Sequence, residues 1–268
     1  MLGWLFPSDC PLEDDLRRWV EGRARWICET FPQVLELPIR LPLREHFPDP
    51  FDGTPDAGVA LFERVKDYLG FGEHSIRIQF YREGDGLDEL RLKYGGRSGG
   101  AGTAGQFTHR EAWLGGKGPT VRLNEDSLRD QAKLTATLAH ELGHYRLLVP
   151  TLPGADEGDH EPLTDLLTIF SGFGILISNQ IVVSSSSEEG LWSQWSVGRL
   201  GYLSAEIAGY ALAIYARLRG EAKPAWRKHL DHDPRAYFEQ SRRYLEKRFP
   251  GGLEPSELAD DWRSAGLG

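Results

Sequence analysis

Thr120-Val121-Arg122-Leu123-Asn124-Glu125-Asp126 leads, a turn or two further on, into Leu134-Thr135-Ala136-Thr137-Leu138-Ala139-His140-Glu141-Leu142-Gly143-His144. The first four residues read as a short strand. Asn124 is a good helix N-cap, and the charges of Glu125 and Asp126 suit the positive end of a helix dipole. The spacing predicts a long helix from there to about Val149, stopped by Pro150. On such a helix positions i and i+4 share a face, so His140 and His144 can reach a single metal ion. Glu141 then stands beside the first ligand, placed to take a proton from a water that the ion activates. This HExxH arrangement has a mechanical reading, zinc-dependent hydrolysis.

Two imidazoles are not enough, because a catalytic zinc takes three protein ligands and keeps one position open. Downstream, Glu161 is the best third ligand, with Asp165 four residues on along the same helical face. One carboxylate would bind the ion and the other would hold a ligand histidine through its second ring nitrogen. Glu161 is assigned to the metal and Asp165 to support; His160 and Asp165 itself are the rival ligands. Asp165 borders a long apolar run, where a lone carboxylate is costly, so it needs a buried partner. The helix carrying it is expected to begin near Glu161-Pro162, with proline close to its first turn. Gly143, Gly172 and Gly174 each cost a helix roughly 1 kcal/mol relative to alanine. Close approach of two helices would explain them.

The rest of the chain bounds the function. Its 268 residues are 40% apolar and 26% charged, the composition of a globular protein of one large or two modest domains. A net charge of −9 argues against general nucleic-acid binding. The basic run Arg242-Arg243-Tyr244-Leu245-Glu246-Lys247-Arg248 is interleaved with glutamate and apolar residues and reads as a solvated helix face. Cys10 and Cys28, the only cysteines, are expected to be free thiols of a reducing compartment. Met1 to Phe6 carries no basic residue and acidic residues follow, so no signal peptide is expected, and the cytoplasm is the expected location. Leu163 to Val183 is apolar but holds Asp165, Asn179 and Gln180. Its uninterrupted part is about 12 residues against the ~20 of a membrane span, which predicts a helix buried inside the protein.

Further helices are expected over 11–31, 58–69, 202–218 and 234–249, and a half-buried strand over 75–81. Prolines from Pro32 to Pro55 enforce an irregular connector. The glycine-rich stretch 84–119 reads as a loop or hairpin, with a short strand near 106–110; no Gly-Lys-Ser/Thr ending makes it a phosphate cradle. Residues 184–190 read as a polar spacer.

The segment Thr137 to His144, followed by Glu161-Pro162-Leu163-Thr164-Asp165, resembles the zincin metallopeptidases, closest to their gluzincin pattern of HExxH plus a downstream Glu with a nearby Asp. It is also similar to the compact ImmA/IrrE-type bacterial metallopeptidase domains. The resemblance covers about residues 120–180. It implies a mixed sheet, an active-site helix, a zinc ion, and an edge strand, here residues 120–123, that pairs with an extended peptide. Arg146 departs from the pattern, standing where zincins commonly have an apolar residue.

The expectation is therefore an α+β fold in three parts: an N-terminal helix and Pro-rich connector over 1–56, a zincin-like core of small mixed sheet and active-site helix over 57–185, and a helical C-terminal part over 190–268 packed on that core. Zn2+ is expected on His140, His144 and Glu161, with Glu141 as general base in a metallopeptidase that acts on a peptide or protein and engages neither nucleic acid nor membrane. Tyr202, Tyr210, His229 and His232 are candidate oxyanion donors, and no spacing rule chooses among them. A different class of function is a zinc-bearing regulatory or interaction module with little turnover, docking through aromatics such as Trp192, Trp195, Tyr202, Tyr210, Tyr215 and Trp226. Hydrolysis of a non-peptide bond at the same metal is a third reading, since the ligands specify activated water and not the bond attacked.

Overall fold

The computed structural model of the chain describes residues 10–82, 105–107, 119–148, 152, 158–186 and 203–260, with the backbone alone at 105–107 and 182–186. Most of the glycine-rich stretch and of the polar spacer, together with Trp192, Trp195 and Tyr202, lie outside the described residues. In chain order the main elements are α1 (Asp14–Thr30), α2 (Pro55–Tyr68), β1 (Arg77–Tyr81), β2 (Gly105–Phe107), β3 (Thr120–Asn124), α3 (Gln131–Leu148), α4 (His160–Thr168), α5 (Gly174–Ser186), α6 (Ala205–Leu218) and α7 (His232–Arg248). The fold is α+β with helix predominant. Two units are formed, one from residues 43–155 and the other from residues 1–42 together with 156–268. The segment 57–185 contributes to both.

In the 43–155 unit the sheet order is β1-β3-β2. β1 runs parallel to β3, pairing Ile78 with Val121 and Phe80 with Leu123, while β2 runs antiparallel to it. The sheet is mixed, but one expectation fails. Residues 120–123 form the central strand, not an edge. Val121 to Leu123 pair with β1 on one side and β2 on the other, so this stretch is not an open edge for an added peptide. Val121 and Leu123 are fully buried, α3 packs on this sheet, and Leu134, Leu138 and Leu142 of α3 are fully buried as well.

The start of α3 also differs from expectation. Asn124 does cap, its side-chain oxygen accepting from the Asp126 N–H at 2.8 Å, but what it caps is a 3₁₀ turn over Glu125–Arg129. Asp130 then stands in extended backbone, and its carboxylate accepts from the Lys133 N–H at 3.0 Å. A second N-cap of this kind opens the α-helix at Gln131 and rotates its faces independently of the turn before it.

In the other unit, α1 buries Trp19, Val20, Ala24 and Ile27, and packs against α4 and α6. Helix α6 is buried without a break from Ile207 to Ala216, which explains its lack of a polar stripe. Cys10 and Cys28 are free thiols, and burial pushes the Cys28 thiol up to about 12. The apolar stretch His160–Ile181 is the one described helix long and apolar enough to cross a membrane, and 94% of its apolar window is buried inside the protein.

That stretch is not one regular helix. A π turn over Ile169–Phe173 separates α4 from α5, and Gly172 within it has φ +92°. Its carbonyl accepts from the Arg40 N–H at 2.8 Å, and a Cβ there would lie 2.5 Å from the Pro38 carbonyl oxygen. Gly172 is therefore required by its own backbone and by the chain crossing over it, whereas Gly174 answers to helix packing, its missing Cβ facing the Leu212 side chain of α6. Gly172→Ala is expected to cost at least about 2 kcal/mol, since the left-handed conformation and a backbone clash act together. Gly174→Ala, opposed by side-chain atoms that can repack, should cost less. Urea unfolding of the two variants beside the wild type checks the order.

Candidate metal centre

Helix α3 brings its histidines together as the i, i+4 spacing requires. His140 Nε2 and His144 Nε2 are 3.0 Å apart, with the rings nearly perpendicular at 89° and their centroids 4.6 Å apart. Both side chains are buried, and so is Glu141 between them. Two nitrogens held tetrahedrally at about 2.05 Å from a zinc ion lie about 3.3 Å from one another, so the observed pair needs only a few tenths of an ångström of adjustment. Two imidazoles at this separation are donors suited to zinc and fit such an ion as two of its ligands.

The flanks of the motif are tied down within their own unit. Tyr145, the residue after His144, has its hydroxyl 2.8 Å from His74 Nδ1 and its ring edge-on to Phe71. Burial raises the pKa of Tyr145 and lowers that of Arg146. Arg146 lies with its guanidinium 4.6 Å from the Phe71 ring centroid and donates to the Leu69 carbonyl, the residue that closes α2. This gives the departure from the zincin pattern a physical reason: the arginine is a strut between α3 and α2, covered on one side by an aromatic ring.

Glu161 lies in the first turn of α4 and is exposed. Helix α4 begins at His160, close to the position expected from Glu161-Pro162. Asp165, one turn on, is 0% exposed, and one of its oxygens accepts from the Leu203 N–H at 3.2 Å. Of the candidate oxyanion donors, Tyr210 is fully buried and donates to Glu21 at 2.7 Å, which commits its hydroxyl to the core. His232 is exposed and pairs with the adjacent Asp233. Tyr202 lies outside the described residues.

The sequence reading missed Trp19, Arg23 and Asp159. Asp159 immediately precedes α4, and its carboxylate is buried against the indole of Trp19 and the guanidinium of Arg23. One signal was available. Trp19 and Arg23 are four residues apart on α1, and an arginine on a buried helical face demands an acidic partner.

No protein-family model, no curated protein and no solved structure matches this chain.

Proposed function

We propose that the chain is a zinc-dependent hydrolase, a metallopeptidase of the HExxH type with a zincin-like core, acting on a peptide or protein. The observation that carries this reading is the pairing of His140 Nε2 and His144 Nε2, 3.0 Å apart on one face of α3, with Glu141 buried next to the first of them. Bound there, zinc would supply Lewis acidity and bring the pKa of a water molecule to about 7. His140 and His144 would hold the ion through one ring nitrogen each, which requires neutral rings whose remaining proton sits on the other nitrogen. Glu161 would add the third donor and one negative charge. Exposure leaves it free of the desolvation that a buried carboxylate would pay before binding. Glu141 accepts the proton of the attacking water and delivers it to the leaving amine.

Asp165 is the supporting carboxylate, not the ligand. It is fully buried and already accepts a backbone N–H, whereas Glu161 is exposed. Metal analysis of purified wild type, Glu161→Ala and Asp165→Asn tests the assignment. Wild type should carry about one zinc, Glu161→Ala should bind it at least ~100-fold more weakly, and Asp165→Asn by roughly tenfold, as expected when the partner of a ligand is altered. A wild type without affinity for zinc would end the proposal. Full zinc retention in Glu161→Ala with loss in Asp165→Asn would exchange the two roles.

A further inference from the structure

We infer that Trp19 and Arg23 are positioning residues for Glu161, acting through Asp159. The inference rests on the zinc reading above. Asp159 Oδ2 accepts from Trp19 Nε1 at 2.6 Å and from Arg23 Nε at 2.7 Å, while its Oδ1 accepts from Arg23 Nη2 at 2.5 Å. All three side chains are buried, Arg23 at 0% and Asp159 at 5% exposure. The two donors lie one turn apart on α1 and so face the same way.

The position of Asp159 makes this more than an ion pair. It is the residue before α4, where an aspartate ordinarily turns its carboxylate onto the N–H groups of its own first turn. Here its backbone carbonyl accepts from the Leu163 N–H at 2.9 Å, but its side chain makes no capping bond. The carboxylate is spent entirely on α1. A fork of two parallel guanidinium bonds fixes the plane of a carboxylate, and the indole N–H adds a third constraint from a rigid ring. Glu161 is two residues further on, in the turn this clamp anchors. An exposed metal ligand on a short helix gains most from such a brace, because a ligand held in place loses less freedom when the ion arrives.

The test is zinc affinity, measured by competition with a chromophoric chelator, in a double-mutant cycle on the full chain. Trp19→Phe keeps the buried ring and removes only the N–H; Arg23→Lys keeps the charge and removes the fork. In the Glu161 background each should weaken zinc by about tenfold, the scale on which altered support of a ligand acts. In the Glu161→Ala background neither should change it by more than about twofold, since the brace then has no ligand to place. A general loosening of the structure would weaken zinc equally in both backgrounds and would overturn the inference, as would no weakening in either. Should Trp19→Phe lose its native circular dichroism, Arg23→Lys carries the same comparison. If Glu161→Ala alone leaves zinc affinity at the wild-type value, the third-ligand assignment itself has failed, which is a separate outcome from a failed brace.

Discussion

Glu141→Gln should lower peptide hydrolysis by roughly 10²–10⁴-fold while leaving zinc affinity within a few-fold of wild type, because a general base contributes on that scale and the amide keeps the shape of the carboxylate. Glu141 is buried and next in sequence to His140, so the exchange introduces no new exposed surface and no large cavity. What it removes is the capacity to accept a proton. The pairing of lost turnover with retained metal separates three functions that share this site. A peptidase loses cleavage; a hydrolase of another bond loses activity on an ester or amide panel and never cut peptides; a zinc-bearing interaction module loses neither metal nor partner. A zinc-loaded wild type that cleaves nothing, with a Glu141→Gln variant indistinguishable from it, would remove the hydrolase reading.

Asp159→Ala should destabilise the protein by about 3–5 kcal/mol, the usual consequence of taking one partner from a buried ion pair. Arg23 is 0% exposed, so its guanidinium would keep its charge in the interior without the carboxylate that balances it. Trp19 would lose the acceptor for its indole N–H in the same step. The contrast is Glu29→Ala, which breaks the pair with Arg25 on the outer face of α1, where the glutamate side chain is 57% exposed. Exposed i, i+4 pairs are worth a few tenths of a kcal/mol. Urea unfolding of both variants reads the difference directly, and equal midpoints would mean that the Arg23–Asp159 pair does not hold this unit together. Replacing both partners by apolar residues of similar volume should recover much of the loss, since the penalty lies in the stranded charge and not in the missing bond.

Sequence spacing anticipated most of what is local. The face shared by His140 and His144 follows from 3.6 residues per turn, and the structure holds their nitrogens 3.0 Å apart. The start of α4 near Glu161, the alternation across β1 and the burial of the stretch after Leu163 were legible for the same reason: each depends on residues within a turn or two of one another. Where two local signals competed, the reading went astray. Asn124 and Asp130 are both good caps, and only the packed chain shows that the first opens a 3₁₀ turn and the second opens the helix. Gly172 was legible as an oddity within a helix but not as a backbone crossing, because the Pro38 carbonyl that dictates it lies far away in sequence.

By itself, then, the order of residues determined which side chains share a helical face, through short-range periodicity that any helix imposes. Only the tertiary structure decided what surrounds them. Residues 120–123 became a central strand because two other segments pair with it. Asp159 left its own helix to meet Arg23 and Trp19, 136 and 140 residues distant. Contacts at that separation cost chain entropy that no local propensity encodes, so they are settled by the burial of whole helices and appear in the sequence merely as an arginine where an apolar face should be.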